Sequence, residues 1–179
     1  MTASIIDLQP TLTSPTIVLR PLKATDSEML YESANDPLIW AQHPSPLRYQ
    51  RDVFDLQIFQ TGLVSKSTLV VVDLQTQKII GSSRYYDLDA IKRELAIGLT
   101  FLARSHWGGR VNSEMKSLML DHAFTWAQRV WFHAGIDNIR SRKALEKIGA
   151  QLSHISPRPI NDLPVDHCFY YIDCKQINR

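Results

Sequence analysis

The spacing of apolar residues along the chain changes repeatedly between the period of a strand and the period of a helix. Runs rich in β-branched and apolar residues, bounded by prolines or polar turns, predict strands at 16–22, 67–88, 93–102, 130–135, 150–155 and 167–174. Apolar residues that recur every three or four positions predict helices at 24–36, 51–63, 112–128 and 138–149. A short aromatic segment at 37–44 and a proline-containing loop at 156–166 complete the pattern.

The order of these elements indicates the fold class. A polar turn divides the run at 67–88, which is typical of a hairpin, and the strand at 93–102 follows it. A strand, two helices, three antiparallel strands, a helix, a strand, a helix and closing strands predict an α+β layer fold with a mixed sheet. Residues 1–15 are rich in Thr and Pro and are predicted to be a loose N-terminal segment. A single domain is therefore expected at 16–179.

The start of the chain and its apolar runs do not show the patterns typical of a signal peptide or a membrane span. No basic segment followed by a long apolar run opens the sequence, which argues against a signal peptide. No apolar stretch approaches the roughly 18 residues that a membrane span needs. We therefore expect a cytoplasmic protein without a membrane partner.

Charge and cysteine content narrow the expected partners further. The net charge of +2 is too small to favour a nucleic-acid partner, although basic residues cluster at 104–110 and 140–147. Cys168 and Cys174 lie six positions apart in a predicted strand, about 20 Å along it, which is too far for a disulfide. Their spacing with His167 fits no zinc site. A reduced, metal-free protein is expected.

Two helix starts are candidates for ligand binding. In "SHWGGRVNSEM" (105–115), Gly108 and Gly109 would let a ligand approach the free amides at the start of a helix, as phosphate sites require. In "DNIRS" (137–141), Asn138 is the predicted N-cap and Ser141 would offer a hydroxyl beside the positive end of the helix dipole. Each feature alone is equally typical of an ordinary turn or cap.

Together the two segments resemble a known family. "WGGRVNSEMKSLMLDHAF", followed by a strand and "NIRSRKALEKIGA", is similar to the acetyl-CoA core of the GNAT N-acetyltransferases. The pair most resembles the branch that contains the ribosomal-protein N-terminal acetyltransferases. Similarity extends over "IVLRPL", "IIGS" and "IGLTFLARSHWG", so it covers residues 16 to about 152. The resemblance implies a mostly antiparallel sheet flanked by helices in three layers, α/β/α.

The resemblance also implies an activity and a set of site residues. The activity is direct transfer of an acetyl group from acetyl-CoA to a primary amine within a ternary complex, the acceptor being a protein N-terminus or a small amine. Phe101 and Leu102 would pair with the pantetheine arm of acetyl-CoA, Asn138 would hydrogen-bond the arm, and Ser141 would face the sulfur as proton donor. The pyrophosphate would bind the backbone of Trp107, Gly108, Gly109, Arg110, Val111, Asn112 and Ser113. The resemblance leaves a homodimer open.

The sequence departs from the family pattern in the loop and on one strand. Arg110 stands where a glycine is usual, and Asn112 where Gly or Ala is usual, so we expect Gly109 to supply the conformational freedom. The glutamate that some members use as general base falls on Ala96, which leaves Glu94, Glu114, water or no base as alternatives. These departures also suit a second hypothesis, a catalytically silent CoA-binding module that regulates a partner.

The acceptor is expected to bind near 37–59 and the loop at 156–166. Trp40 and His43, on the short segment bounded by prolines, are the candidate substrate-binding residues because each combines an aromatic body with a polar tip. Ordinary packing is the competing interpretation for each of them.

Overall fold

The computed structural model describes residues 6–176, and eight strands within them form one sheet in the order β1-β2-β3-β4-β5-β6-β8-β7. All neighbouring strands are antiparallel except β5 and β6, which are parallel. The strands are β1 Leu12–Thr13, β2 Ile17–Pro21, β3 Thr68–Asp73, β4 Ile79–Asp89, β5 Glu94–Leu102, β6 Arg129–Gly135, β7 Gln151–Ile160 and β8 Leu163–Asp173.

Helices cover both faces of this sheet. They are α1 Ser27–Ala34, α2 Pro37–Trp40, α3 Arg51–Phe54, α4 Thr61–Ser65, α5 Val111–Ala123 and α6 Ile139–Lys147, with a π-helical segment, Asp55–Gln60, joining α3 to α4. Single 3₁₀ turns lie at Ala24–Asp26, Pro46–Tyr49, Arg104–His106 and Cys174–Gln176. None of the helices within 6–176 is both long and apolar enough to cross a membrane.

Two apolar clusters hold the layers together. On one face, Met115 and Met119 of α5 and Leu145 of α6 pack against strand residues such as Leu95 and Ile97. On the other face, the helices between β2 and β3 contribute a second cluster, which includes Leu30, Trp40, Phe54, Ile58 and, from β5, Phe101. The predicted three-layer α/β/α arrangement is confirmed, because burial of one stripe of each helix requires the sheet to lie between them.

Two segments, residues 6–15 and residues 156–166, differ from the sequence prediction. Residues 1–5 lie outside the described part, but residues 6–15 are not loose: Ile6 is buried in the core, and Leu12 pairs with Leu19 of β2. The predicted loop at 156–166 is a hairpin, in which β7 and β8 continue to Ile160 and Leu163. The prolines of this segment were the reason for the loop prediction. Pro157 and Pro159 lie on β7, the outermost strand, which tolerates residues that cannot donate a hydrogen bond, and Pro164 lies outside the part of β8 that pairs with β6.

The parallel strands β5 and β6 diverge after a short contact. Residues 94–96 pair with 129–131, and no pair follows. Past this point β5 continues beside β4 and β6 continues beside β8. Between residues 97–102 and 132–135 the sheet therefore has an opening, called the fork below, where one edge of each strand has no neighbouring strand.

A bulge and a bridging tyrosine shape the fork. The register of β5 with β4 shifts at 99–100, and Leu99 has a left-handed φ of +50°, a bulge geometry that bends a strand and increases its twist. Tyr86 of β4 lies over Gly98 and its hydroxyl is 2.9 Å from Nδ1 of His133 in β6. The tyrosine thus spans β5 and contacts β6 just past the last strand pair.

Gly98→Ala tests this packing. A Cβ at residue 98 would lie 2.9 Å from the Tyr86 hydroxyl oxygen, so the ring must shift, which disturbs its contact with His133. We expect a loss of about 1–3 kcal/mol of stability, the usual cost of overpacking, measured as a lower midpoint of thermal unfolding. Gly109→Ala is the matched control, because the nearest atom to its Cβ would be 3.9 Å away. Equal midpoints for the two variants would contradict the packing of Tyr86 over Gly98.

Candidate active site

The fork opens into a cavity of about 480 Å³. Its walls are residues 97–102 of β5 and 132–135 of β6, and the start of α5 closes one side while the first turns of α6 close another. α2, the 3₁₀ turn Pro46–Tyr49 and the tip of β7 form the remaining wall. The cavity therefore joins both helix starts that the sequence singled out, although they lie about 30 positions apart in the chain.

The loop before α5 leaves an open approach to free backbone amides. Gly108 has a φ of +71°, and no atom lies within 4 Å of the position that a Cβ would occupy. Arg110, the N-cap, makes no side-chain cap to the helix. The first-turn amides of Val111, Asn112 and Ser113 thus lack an intrahelical acceptor, and such amides bind phosphate groups.

The structure locates the conformational freedom of this loop at Gly108, not at Gly109 as the sequence analysis expected. Gly109 has no left-handed φ, and Arg110 has right-handed angles of φ −82° and ψ −18° that any residue adopts. A glycine at 110 is therefore not needed for the turn. Of the other basic residues near the loop, Arg104 pairs with Asp36 at 2.6 Å.

The free edge of β5 lies between the two helix starts. Phe101 and Leu102 are buried on opposite faces of the sheet, so their side chains anchor the strand while its backbone borders the fork. Trp107 adds to this anchor, since its Nε1 donates to the carbonyl of Leu102 at 2.9 Å. An extended ligand could pair with such an edge as an added strand would.

The start of α6 faces the same cavity. Asn138 is the N-cap, and its Oδ1 accepts from the amide of Ser141 at 3.1 Å. Both residues line the cavity. Arg140 lies between the two sites: its guanidinium stacks on the Trp107 ring at 4.1 Å, and it also donates to the backbone carbonyls of Leu38 and Ile39.

The two candidate acceptor-binding residues lie at the cavity, whereas the candidate base Glu94 does not. Trp40 and His43 both line the cavity, but Trp40 is 3% exposed and its Nε1 donates to the carbonyl of Ala34, so packing is its main role. Glu94 does not reach the cavity. Its Oε2 accepts from Trp131 Nε1 at 2.9 Å, in a separate depression behind His133. The geometry gives no support to Glu94 as the base.

Glu114, the alternative base, is also placed outside the cavity, where it accepts a hydrogen bond from the hydroxyl of Thr16. No Asp or Glu lines the cavity within the described part of the chain. Nor do residues 6–176 contain a group of three or more His, Cys, Asp or Glu side chains that could hold a metal ion.

Lys116 is a cavity residue that the sequence analysis missed. It lies on the buried side of α5, is 5% exposed, and donates from Nζ to Oγ1 of Thr100 at 2.9 Å. Burial lowers the pKa of Lys116 to about 7. The signal was present in the sequence, since Lys116 falls one helical turn before Met119 and Leu120 within an apolar stripe.

His133 is the second such residue. Its Nδ1 lies 2.9 Å from the Tyr86 hydroxyl and 2.7 Å from Nη1 of Arg158, which can only donate. Nδ1 is therefore the unprotonated nitrogen. Burial and the charge of Arg158 lower the pKa of His133 to about 4, so the ring is neutral at pH 7.

Lys116→Met tests the cost of the buried amine. The folded-state pKa lies below the unfolded value of 10.5, so wild-type stability should rise as pH increases from about 7 to 10.5. At pH 7 and below the methionine variant should be more stable by about 1–4 kcal/mol, as when other buried charges are replaced by apolar residues. The difference should shrink towards pH 10. Denaturant unfolding at several pH values measures it, with Lys143→Met, an exposed site on α6, as control. A pH-independent difference would contradict the burial.

Comparison with known proteins places these features in a family. A family model described as "Acetyltransferase (GNAT) domain" matches residues 16–151. No curated protein matches the chain.

Solved structures share the fold at low sequence identity. A GCN5-related N-acetyltransferase from Brucella melitensis superposes with a TM-score of 0.84 at 15% identity, over 94% of this chain and 80% of that one. Mycobacterium smegmatis RimJ in complex with CoA-disulfide gives 0.72 at 17% identity, over 95% and 90%. Spermidine N-acetyltransferase from Vibrio cholerae in complex with CoA and spermine gives 0.69 at 19% identity, over 90% and 98%.

The family match covers most of the chain, and the cavity has the free strand edge and the uncapped helix start that fit acetyl-CoA. The chain therefore belongs to the GNAT acetyltransferase family, as an acetyl-CoA-dependent enzyme that moves an acetyl group to an amine.

Proposed function

We propose that this chain is a cytoplasmic enzyme that acetylates the α-amine of a protein N-terminus or of a small molecule. The observation that carries the proposal is the lack of any carboxylate among the described residues of the cavity wall. An attacking amine must be unprotonated. The α-amine of a peptide N-terminus has a pKa near 8, and a lysine amine has one near 10.4. Without a carboxylate to accept the proton, an acceptor that is already partly neutral at pH 7 is favoured, because water or another weak base in the cavity can then take its proton.

Residues around the fork would hold acetyl-CoA in this proposal. The amides of the loop and first turn at 107–113 would bind the pyrophosphate, and the free edge of β5 at Phe101 and Leu102 would pair with the pantetheine arm. Asn138 supports this arrangement, because the cap uses only its Oδ1 and its Nδ2 donates to nothing within the described chain. When bound, acetyl-CoA supplies an activated acetyl thioester.

Ser141 has a distinct role in the proposed reaction. The amine nitrogen bonds to the acetyl carbon as the carbon–sulfur bond breaks, and CoA leaves as a thiolate that takes up a proton. The hydroxyl of Ser141 lines the cavity at the positive end of α6 and makes no hydrogen bond within residues 6–176, so it can donate to the sulfur.

We also propose that this chain belongs to one branch of the GNAT family. The motif pair at 107–115 and 138–149 supports the ribosomal-protein N-terminal acetyltransferase branch. We further propose that the chain forms a homodimer through β7. This strand is an outer edge of the sheet, and its residues Leu152 and Ile155 are each 50% exposed.

An acceptor panel tests the proposed function. Thiol release from acetyl-CoA would be followed with peptides that have a free N-terminus, with the same peptides Nα-blocked but carrying lysine, and with spermidine. We expect free N-termini or small α-amines to turn over and blocked lysine peptides to be poor acceptors at pH 7. Preference for the blocked lysine peptides would contradict the proposal. Binding of CoA without turnover of any acceptor would favour the regulatory module instead.

Ser141→Ala tests the mechanism. We expect kcat to fall by about 100-fold or more, within the range of general-acid effects, while the calorimetric Kd for CoA stays unchanged because the backbone contacts remain. Ser153→Ala, an exposed site on β7, serves as control. Glu94→Gln should keep wild-type turnover, because Glu94 lies outside the cavity. Full turnover in Ser141→Ala would remove the serine from the mechanism.

A further inference from the structure

One part of the cavity carries positive charge that the transfer of an acetyl group does not require. This part, called the α2 end, is formed by Trp40, His43 and Arg48. Arg48 is 7% exposed. Its Nε donates to Oε1 of Gln57 at 2.9 Å, and its Nη1 lies 2.8 Å from Nε2 of His43. Among residues 6–176 no carboxylate comes within 4 Å of this guanidinium.

At the contact between Arg48 and His43, two hydrogen-bond donors face each other with no acceptor between them. The amide of Ser45 donates to Nδ1 of His43 at 2.9 Å, so Nδ1 is unprotonated. The neutral ring then carries its proton on Nε2, which faces Nη1 of Arg48, a group that can only donate. An oxygen that accepts from both groups at once would give each donor a partner and remove the unfavourable contact between them. Carboxylate oxygens are such acceptors, and their hydrogen bonds to charged donors are among the strongest.

Other guanidinium groups strengthen the positive field at the α2 end. Arg84 donates to Thr68, Thr61 and the carbonyl of Ile58. Burial lowers the pKa of Arg48, and the charge of Arg84 lowers it further. Arg140 reaches the backbone carbonyls of α2. Arg158, at the opposite wall, differs from these because Asp87 neutralises it at 2.9 Å.

Keeping Arg48 buried without a counter-ion costs stability, since desolvation of a charge is repaid only by a partner. Sites that retain such a charge in a cavity are candidates for ligand binding. The partner that fits is an anion that enters with the acceptor.

We propose that Arg48 and His43 bind a carboxylate of the acceptor, so that the amine this enzyme acetylates belongs to a molecule with a carboxylate close to that amine. The inference rests on the proposed function and adds its substrate class. Two sources share this chemistry: the α-carboxylate of a free amino acid, and the side chain of an acidic residue at a peptide N-terminus. A polyamine, which carries only positive charge, is the acceptor that the α2 end disfavours.

The test compares acceptors that differ by one group. Alanine is paired with alaninamide, and a C-terminally amidated peptide beginning with Asp is paired with the same peptide beginning with Asn. We expect at least one carboxylate acceptor to exceed its amide partner in kcat/KM by about 10- to 100-fold, as a charge-assisted hydrogen bond permits. The pair that shows the preference identifies the source of the carboxylate.

Arg48→Gln shows whether the preference depends on this residue. The ratio of carboxylate to amide acceptor should fall towards one in the variant, and comparing ratios between variant and wild type cancels the basicity of the acceptors. Arg51→Gln is the control: Arg51 lies three positions away, outside the cavity, and its ion pairs are with Glu28 and Asp55, so its ratio should match wild type. If Arg48→Gln folds poorly, Arg48→Met is the alternative, since it removes the buried polar group as well as the charge.

A second measurement is independent of turnover. Two pairs of N-acetyl compounds are compared: N-acetylalanine with N-acetylalaninamide, and the α-amide of N-acetylaspartate with the α-amide of N-acetylasparagine. In at least one pair the carboxylate compound should raise the thermal unfolding midpoint of the CoA-bound wild type more than its amide partner does, and this difference should vanish in Arg48→Gln. An unchanged acceptor ratio in Arg48→Gln, faster turnover of spermidine than of every carboxylate acceptor, or equal stabilisation within both pairs would overturn the proposal. If no acceptor releases thiol, the proposed function fails, and the stabilisation by the N-acetyl carboxylates still decides whether the carboxylate site exists.

Discussion

The site depends on the point at which β5 and β6 stop pairing. Three residue pairs hold the two parallel strands together, and beyond them each strand keeps only its outer neighbour. A sheet that closed here would satisfy its backbone groups within the chain and leave no room for a ligand. Because it does not close, one strand edge stays free, and the starts of α5 and α6 flank the same opening. The bulge at Leu99 lies at this opening, and the hydroxyl of Tyr86 contacts His133 across it.

Charge is distributed unevenly around the opening. The loop before α5 offers free amides, the α2 end offers Arg48, and Lys116 lies on the helix side, while no carboxylate of the described chain lines the cavity. Burying Lys116 and Arg48 lowers the pKa of each, which shows that the protein holds these charges at a cost. A fold optimised for stability alone would place apolar residues there. The cavity is instead suited to negative ligands, and acetyl-CoA with an acidic acceptor would complete its charge balance.

Much of this architecture was accessible from local sequence patterns. The long helix after "SHWGG", the hairpin before it and the cap at Asn138 each follow from periodicity or from capping chemistry within a few residues. The prolines of 156–166 led to a loop prediction because their effect depends on whether a strand is central or at an edge, which is a property of the sheet. The place of Glu94 likewise depends on a distant contact, because Trp131, which is 37 positions away, binds it outside the cavity.

The sequence by itself determined the family, the order of elements and the two helix starts, because motif spacing and local hydrogen bonding are properties of neighbouring residues. Only the tertiary structure decided which side chains meet in the cavity. It showed that Gly108, rather than Gly109, makes the turn, and that Arg48 lies against His43 without a counter-ion. These outcomes depend on contacts between segments far apart in the chain, and the desolvation that gives them their chemistry arises only when the layers pack.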